Sequence, residues 1–402
     1  MKKIRRRLFI KRSLLVSAGS IMLPNIIEAV EKSVNDITNN KILVIVQLSG
    51  GNDGLNMIVP YSNSRYYKVR PQLAIPEKDV IKLSDELGLH PNMTGLKNLY
   101  DEGLLCILNN VGYPDPVRSH FRSMDIWQSA SSSNEYLQSG WIGRFIESNL
   151  NGKSYPYSAI EIGDTLSLAL KGKLIKGLAM QNPQRLYNSI QKGLFQPLAK
   201  QYSAYKDYSK NLKYIYNTMN ETISSVNYIY KKVNGSSSAG NYPPSALGQN
   251  LKTISEMIQS GLNTKIYYTS LDGFDTHVHQ RPKQDKLLKV YSEAISFFVN
   301  DLKQKNILNN VLILTFSEFG RRVSQNASGG TDHGGANNLL LMGGQLKKYG
   351  FYNESPDLQN LNNGDLEYSI DFRSVYNTII KNFFRENPFP IIGKTLPELH
   401  FI

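Results

Sequence analysis

Short apolar runs that end in polar, glycine-bearing loops constrain the fold of this chain more than any other feature of its sequence. Residues 41–48, 104–111, 265–271 and 312–316 are such runs, and apolar segments of this length bounded by glycine are typical of buried strands. Amphipathic helical stretches separate them, of which residues 285–305 carry the clearest apolar stripe. Strands that alternate with helices predict an α/β fold with a mostly parallel, doubly wound sheet.

Length and composition fit one large domain. The 402 residues are 41% hydrophobic and 20% charged, as in a soluble globular protein, which excludes disorder throughout the chain. We predict that residues 41–402 form the α/β domain. A polar stretch rich in tyrosine and lysine, at about residues 187–245, has helical spacing of its apolar residues and predicts a helical insertion.

Residues 1–30 are typical of an export signal. Residues 6–11, RRLFIK, are close to the twin-arginine pattern, and a short, mildly apolar stretch follows them. A basic N-terminal helix is the alternative interpretation. No run of eighteen or more apolar residues follows, so the mature chain is predicted to have no transmembrane span. We expect the twin-arginine export machinery to deliver the chain to the periplasm, the cell surface or the extracellular space.

The positive charge of the chain is concentrated in this signal. Seven basic residues fall in the first twelve positions, and removing them takes the formal net charge from +13 to about +6. Because no basic stripe interleaved with aromatic residues remains, we expect no nucleic-acid partner.

Cys106 is the only cysteine and lies in an apolar run, which excludes an intrachain disulfide and a multi-thiolate metal site.

Carboxylates and imidazoles gather in the loops beside the predicted strands. Asp53 follows the first strand in the segment SGGNDGLN, and Glu318 leaves the end of the strand at 312–316. Asp332 and His333 precede the next apolar run. Carboxylate oxygen and imidazole nitrogen are the ligands that Zn²⁺ and related divalent ions take when thiolates are absent. For each loop alone, a solvated glycine turn is the alternative.

Asp275, His277 and His279 alternate along the chain after the strand at 265–271. In an extended segment alternating residues face one side, so these three would offer oxygen and nitrogen ligands together. One of the two histidines could instead support a ligand from behind. Three ionisable groups on one face are costly to bury without a partner, which favours a binding role.

Ser119 begins a predicted helix that runs to about residue 130. A serine at this position either caps the helix or acts as a nucleophile, and the sequence leaves both roles open. The start of a helix also attracts anions. Arg321 and Arg322 follow Glu318 closely, and two guanidiniums suit a tetrahedral anion such as phosphate or sulfate.

These loops all adjoin predicted strand ends, which meet in one crevice of an open α/β sheet. Of the six histidines in the chain, His120, His277, His279 and His333 fall in these short segments. The concentration of four histidines favours one shared site over a set of unrelated surface turns.

Five segments together resemble a bacterial family of exported proteins that has a twin-arginine signal and a domain-of-unknown-function label. They are GGNDGLN at 50–56, RSHF at 118–121, DTH at 275–277, SEFGR at 317–321 and GTDHG at 330–334. The resemblance covers nearly all of residues 41–386 apart from the helical insertion. The family is similar to a distant branch of the alkaline phosphatase and sulfatase superfamily, which implies an alkaline-phosphatase-like sheet.

The resemblance also implies one or two divalent metal ions (Zn, Ca, Mg or Mn) and a hydroxyl nucleophile at a helix start. The implied metal ligands are Asp53, Asp275, His277, Glu318, Asp332 and His333. The implied catalytic residues are Ser119, His120 and Arg321. Two features depart from the superfamily pattern, because Glu318 stands where Asp-His is usual and the neighbours of Ser119 differ.

We therefore expect an exported, metal-dependent hydrolase of phosphate or sulfate esters. Ser119 would attack an anionic ester, the metal would lower the pKa of a hydroxyl or water, and arginines would stabilise the transition-state oxygens. The alternative is a non-catalytic exported protein on the same fold, which binds a polysaccharide or another partner and whose metal, if any, is structural. Glu318 and the tyrosine-rich insertion favour this alternative.

Overall fold

Nine strands form the central sheet of the computed structural model, which describes residues 40–149, 155–193, 197–198, 210–234 and 240–402. The strands of these residues are β1 (Ile42–Ser49), β2 (Ile58–Val59), β3 (Ile81–Lys82), β4 (Gly88–Leu89), β5 (Leu105–Gly112), β6 (Ala159–Ile162), β7 (Leu178–Met180), β8 (Ile266–Asp272), β9 (Val311–Phe316), β10 (Asn337–Gly343), β11 (Gly350–Phe351), β12 (Leu361–Asn362), β13 (Asp365–Leu366) and β14 (Ile370–Asp371). The order in the central sheet is β11-β5-β10-β9-β1-β8-β6-β7, with β14 beside β5.

The central sheet is mostly parallel. Strand β1 pairs in parallel with β8 and β9, so that Val44 lies opposite both Tyr267 and Ile313. Among the described strands of this sheet only β10 runs against its neighbours, β9 and β5. The carboxyl ends of the parallel strands therefore lie along one edge. The prediction of a mostly parallel α/β sheet is confirmed.

Helices cover both faces of this sheet. They are α1 (Gly54–Met57), α2 (Ser64–Val69), α3 (Thr94–Asp101), α4 (His120–Ser129), α5 (Trp141–Asn149), α6 (Pro183–Lys192), α7 (Lys210–Val233), α8 (Ala246–Gln259), α9 (Gln280–Gln304), α10 (Phe372–Thr378) and α11 (Phe389–Ile392). Short 3₁₀ turns lie at Glu77–Asp79, Pro156–Ser158, Leu168–Leu170 and Leu308–Asn310, and a π turn at Ile379–Phe383 follows α10.

The alternation of side chains along β1 explains why both faces are covered. Val44, Val46 and Leu48 enter one hydrophobic core, which they share with α3, α8 and α9. Leu43 and Ile45 enter a second core, which contains side chains of α4, α5 and α10. Because successive side chains of a strand point to opposite faces, a strand that is apolar throughout needs a helical layer on each side.

Glycine brings three loops at the carboxyl edge into direct contact. Gly50, after β1, has a φ of 115°, and a Cβ there would overlap the backbone nitrogen of Asp275. Gly330, before β10, lies so close to the carbonyl of His277 that a Cβ would overlap it as well. The loops after β1 and β8 and the loop between β9 and β10 therefore pack backbone against backbone.

The predicted terminal and inserted segments are described to different extents. The twin-arginine signal predicted at residues 1–30 lies outside the described residues. In the region predicted as a helical insertion, α6 packs against α7, and Tyr187 stacks on Tyr230 with ring centroids 3.8 Å apart. The limits of the insertion stay a prediction. Of the helices that the structure describes, none combines the length and the apolar composition that a membrane span requires.

Candidate metal centre

Four side chains converge at the carboxyl edge of the sheet. His120 is the first residue of α4, Asp275 and His277 follow β8, and His333 lies between β9 and β10. The Nε2 atoms of His277, His333 and His120 lie 3.0, 3.3 and 3.4 Å from Oδ1 of Asp275. The Nε2 atoms of His277 and His333 are 2.9 Å apart. One carboxylate oxygen is therefore surrounded by three imidazole nitrogens, and we call these four residues the histidine cluster.

The other ring nitrogen of each imidazole faces an oxygen. The Nδ1 atom of His120 lies 2.9 Å from Oε1 of Glu318, and that of His333 lies 2.8 Å from the carbonyl oxygen of Arg118. The Nδ1 atom of His277 lies 3.5 Å from Oδ1 of Asp332. In a neutral ring these acceptors place the proton on Nδ1 and leave the lone pair on Nε2.

This arrangement fits a divalent metal ion. Three nitrogen lone pairs and a carboxylate oxygen repel one another at these distances unless a proton or a metal cation lies among them. Histidines that bind metal characteristically donate their second N–H to a carboxylate or a carbonyl, as here. The Nε2 atom of His120 is buried and has no hydrogen-bond partner among the described residues. Ligand atoms of His120, Asp275 and His333 all lie within 4.8 Å of one another.

The protonation states of the cluster also favour a cation. Partial burial alone would raise the pKa of Asp275, but the hydrogen bond and charge of Arg321, together with the neighbouring imidazoles, outweigh it and lower that pKa to about 2. Burial lowers the pKa of His333. The hydrogen bond to Glu318 raises the pKa of His120, so a proton competes with metal at that ring.

Arg321 connects the three loops beneath the cluster. It is buried, and its Nε atom donates to the carbonyl of Gly51 at 2.6 Å, while Nη1 donates to the carbonyl of Thr331 at 3.0 Å. Its Nη2 atom donates to the carbonyl of Phe274 at 2.9 Å and to Oδ1 of Asp275 at 2.8 Å. The guanidinium, expected to be catalytic, thus holds the backbone of all three loops and orients Asp275.

Glu318 and Asp332 lie behind the imidazoles. The side chain of Glu318 is fully buried, and its Oε1 atom accepts the backbone N–H of Gly50 at 2.8 Å in addition to facing His120. Asp332 contacts the far nitrogen of His277. Both were expected to bind the metal directly. The structure places them behind the imidazoles of His120 and His277, and it places His120, which was expected to be catalytic, in the histidine cluster itself.

Asp53 is paired with a guanidinium. Its Oδ2 atom lies 2.5 Å from Nη1 of Arg70 and also accepts from Gln280, and both members of the ion pair are buried. Arg70 donates in addition to Asn56 and to the carbonyl of Val323. The described residues whose ligand atoms all lie within 4.8 Å of one another are His120, Asp275 and His333, so Asp53 is not among them, and His277 adjoins this group through its contacts with Asp275 and His333. Arg70 balances the negative charge of Asp53 at Oδ2, while Oδ1 is buried and accepts no hydrogen bond from described residues.

Ser119 stands at the start of α4, beside the cluster. It occupies the N-cap position that the sequence predicts, but its hydroxyl makes no capping hydrogen bond. It is exposed and lies between Arg118, whose carbonyl holds His333, and His120.

At His279 the backbone turns to a φ of 48° and α9 begins, so the predicted alternation of Asp275, His277 and His279 ends at His277.

One protein-family model matches most of this chain. The family model described as "Protein of unknown function (DUF1501)" matches residues 40–382. The chain belongs to this family. The sequence-based prediction of a family with a domain-of-unknown-function label is thereby confirmed. A search of curated protein sequences finds no match.

Several solved structures are similar to this chain. The zinc complex of the C-terminal periplasmic domain of EptC from Escherichia coli is 10% identical, with 77% of this chain and 74% of that chain covered and a TM-score of 0.37. The lipoteichoic acid synthase LtaP from Listeria monocytogenes is 10% identical, with 79% and 68% covered and a TM-score of 0.37. A protein in the alkaline phosphatase superfamily from Vibrio parahaemolyticus is 10% identical, with 89% and 71% covered and a TM-score of 0.38. Similarity at this level says nothing about the chemistry of this chain.

Proposed function

We propose that this chain is an exported hydrolase of phosphate or sulfate esters that uses one divalent metal ion held by the histidine cluster. The observation that carries the proposal is the convergence of three Nε2 atoms on Oδ1 of Asp275, with an oxygen facing each Nδ1. Imidazole ligands suit zinc better than calcium or magnesium, so zinc is the first ion to test, followed by manganese.

The number of ions we propose is one for each chain. A second ion would need another set of oxygen and nitrogen ligands nearby. Asp53 was the expected carboxylate of such a set, but Arg70 already supplies the positive charge beside it. Arg70 and Gln280 offset the burial of this carboxylate through Oδ2, and although Oδ1 accepts no hydrogen bond from described residues, we assign no ion to Asp53.

The bound ion would draw charge from the ester oxygens and lower the pKa of a hydroxyl or water. Ser119 is the residue we assign as nucleophile, because its hydroxyl is exposed, makes no capping bond and precedes His120 directly. Its oxygen would form a bond to phosphorus or sulfur while the bond to the ester alcohol breaks, and the serine proton would pass to the departing alcohol. Water would then attack the same phosphorus or sulfur, releasing phosphate or sulfate and restoring the serine. Backbone N–H groups at the start of α4 would attract the anionic group to this position.

Purified protein gives the direct test of this activity. We expect about one zinc ion for each chain by elemental analysis, and turnover of p-nitrophenyl phosphate or p-nitrophenyl sulfate. Ser119→Ala should lower kcat by about a thousandfold or more without loss of metal, since a nucleophile has no substitute. Ser119→Thr keeps a hydroxyl and serves as the matched control that retains part of the activity. Undiminished turnover by Ser119→Ala would remove Ser119 from the mechanism.

A non-catalytic exported protein that binds a polysaccharide is the second candidate function. The observation that favours it is the half-buried Tyr187–Tyr230 stack on α6 and α7, since aromatic rings at a surface are common in binding sites. The same experiment separates the two functions. Metal at full occupancy without turnover of any ester supports the binding protein, and turnover that Ser119→Ala abolishes supports the hydrolase.

We also propose export by the twin-arginine route, which the segment RRLFIK at residues 6–11 supports. The test is cell fractionation of the full chain and of a variant with Arg6→Lys and Arg7→Lys. The unchanged chain should leave the cytoplasm. The double variant keeps the positive charge but lacks the two arginines of the segment RRLFIK, so it should stay in the cytoplasm. Export of both proteins to the same extent would contradict the proposed route.

A further inference from the structure

A pocket of about 670 Å³ opens beside the histidine cluster. This volume lies within the range of small-molecule sites. Glu318 lines the pocket and faces His120, and Arg118 lines the pocket while its carbonyl holds His333. Two pocket residues thus contact the cluster, so a molecule with one end at the cluster can place its other end in the pocket.

Two buried polar atoms of the pocket residues lack hydrogen bonds. Trp127 is 2% exposed, and its Nε1 donor finds no acceptor in the part of the chain that the structure describes. Its ring is fixed between Phe316 and Phe372, with centroids at 4.8 and 4.2 Å. Asp365 is 3% exposed, and its Oδ1 atom accepts no hydrogen bond from described residues. Unpaired buried groups are costly, which indicates a ligand that both accepts and donates.

The charge of the pocket restricts what this ligand can be. Four carboxylates line it, those of Asp115, Glu318, Asp365 and Glu367, against the guanidinium of Arg118 and that of Arg322, which lies behind the lining 3.8 Å from Oδ1 of Asp365. A second anionic group in the pocket would therefore be repelled. A cation would be attracted but could not accept the Trp127 N–H. Hydroxyl groups do both, since each has one donor and two lone pairs.

We propose that the pocket binds a sugar or another uncharged polyol as the alcohol part of the ester, with Trp127 Nε1 donating to one hydroxyl and Asp365 Oδ1 accepting from another. This inference rests on the proposed function, because it names the substrate class of the same site. It places the anionic group of the ester at the metal ion and the uncharged hydroxyl-bearing group beyond Glu318.

The kinetic test compares sugar esters with esters that lack hydroxyl groups. A panel of hexose and pentose phosphates and sulfates should have KM values at least about tenfold below those of ethyl phosphate and ethyl sulfate, a difference of two weak hydrogen bonds. Trp127→Phe keeps an aromatic ring without the N–H. The ratio to measure is the KM of the best sugar ester divided by the KM of the ethyl ester of the same acid. Trp127→Phe should raise this KM ratio about fivefold, which is the effect of one hydrogen bond.

Trp141→Phe is the matched control. Trp141 is the only other tryptophan of the chain, is also buried and stacks on Tyr376, but does not line the pocket. Its substitution should leave the KM ratio unchanged. Asn362→Ala, at an exposed residue of the pocket, should raise the ratio without a risk to the core, so the inference stays testable if Trp127→Phe fails to fold.

The outcomes separate this inference from the proposed function. Turnover of esters with equal KM for sugar and ethyl esters, or an equal effect of Trp127→Phe and Trp141→Phe, would overturn the pocket assignment and leave the hydrolase standing. If no ester is turned over, calorimetry with the free sugars and polyols decides. Binding that Trp127→Phe weakens and Trp141→Phe does not would support the pocket alone, and an absence of binding would overturn it.

Discussion

Two carboxylates that follow neighbouring strands of the sheet have opposite surroundings. Asp53 follows β1, is buried and pairs with Arg70. Asp275 follows β8, is half exposed and has three imidazole nitrogens around one oxygen. Position at a strand end brings both to the same edge of the sheet, which is why both were expected to bind metal. The set of groups around each carboxylate, and not its place in the sequence, distinguishes a structural ion pair from a candidate metal ligand.

A guanidinium touches Asp275 as well, and the comparison shows why that contact is different. Arg70 directs one nitrogen at Asp53 and two others at the loop carbonyls of Val323 and Arg322. Arg321 likewise holds loop carbonyls, but the carboxylate oxygen that it reaches is shared with the histidines. Oδ2 of Asp53 is therefore engaged by its ion pair, although Oδ1 is buried and accepts no hydrogen bond from described residues, whereas Oδ1 of Asp275 is shared with the imidazoles.

The largest effect should come from breaking the buried pair. Arg70→Met leaves Asp53 buried without a counter-charge, which should lower the free energy of unfolding by about 3–5 kcal/mol. Adding Asp53→Asn removes the uncompensated charge and should recover part of the lost free energy of unfolding. Urea unfolding of the metal-free protein measures both.

Arg322→Met is the control for this experiment, because Arg322 is partly exposed and lies 3.8 Å from Asp365. Asp365 is buried but also pairs with Arg118, and a long ion pair to a partly exposed guanidinium contributes about 0–1 kcal/mol. Equal destabilisation by Arg70→Met and Arg322→Met would break the comparison, since Asp53 would then not depend on Arg70.

The next effect concerns the cluster. His333→Asn removes one ring nitrogen from the centre and should weaken zinc binding by at least about 100-fold, because even partners behind a ligand contribute about 10- to 100-fold. His279→Asn makes the same change at a histidine that precedes α9, and asparagine tolerates its φ of 48°. Calorimetric titration with zinc should therefore give wild-type affinity for His279→Asn. Loss of affinity in both variants, or in neither, would contradict the assignment of ligands.

The smallest effect is a change in pH dependence. The hydrogen bond to Glu318 raises the pKa of His120, and Glu318→Gln should lower that pKa, as imidazole NMR signals of the metal-free protein would show. Because the pKa of His120 is higher in the folded protein than in the unfolded chain, where it is about 6.5, protonation of this ring stabilises the fold. This contribution is complete below about pH 6.5 and is lost as the pH rises through the pKa of the folded protein. Glu318→Gln should flatten this decline. An unchanged pKa of His120 would mean that Glu318 does not hold the ring.

The sequence predicted the fold more completely than the site. The apolar run at 41–48 corresponds to β1 (Ile42–Ser49), and Ser119 does occupy the N-cap position of α4. These features follow from local patterns, which a sequence displays directly. The helix expected from residue 285 begins earlier, at Gln280, because Pro282 lies in its first turn, where proline is tolerated.

The partners of the site residues could not be predicted in the same way. Arg70 lies in a loop-rich segment with other arginines, and no local pattern marks it as the partner of Asp53. His120 had a visible signal, since it follows β5 much as His277 follows β8, but the same position also suited a catalytic role beside Ser119. Which nitrogen faces which oxygen depends on how distant loops pack, and glycines such as Gly50 and Gly330 set that packing only in the folded chain.

Crystals grown with zinc and measured at the zinc absorption edge would test the central claim most directly. We predict one anomalous peak for each chain, about 2.0–2.1 Å from the Nε2 atoms of His120, His277 and His333 and beside the carboxylate of Asp275. An empty cluster in zinc-saturated crystals, or a peak next to Asp53 with Arg70 displaced, would contradict the account.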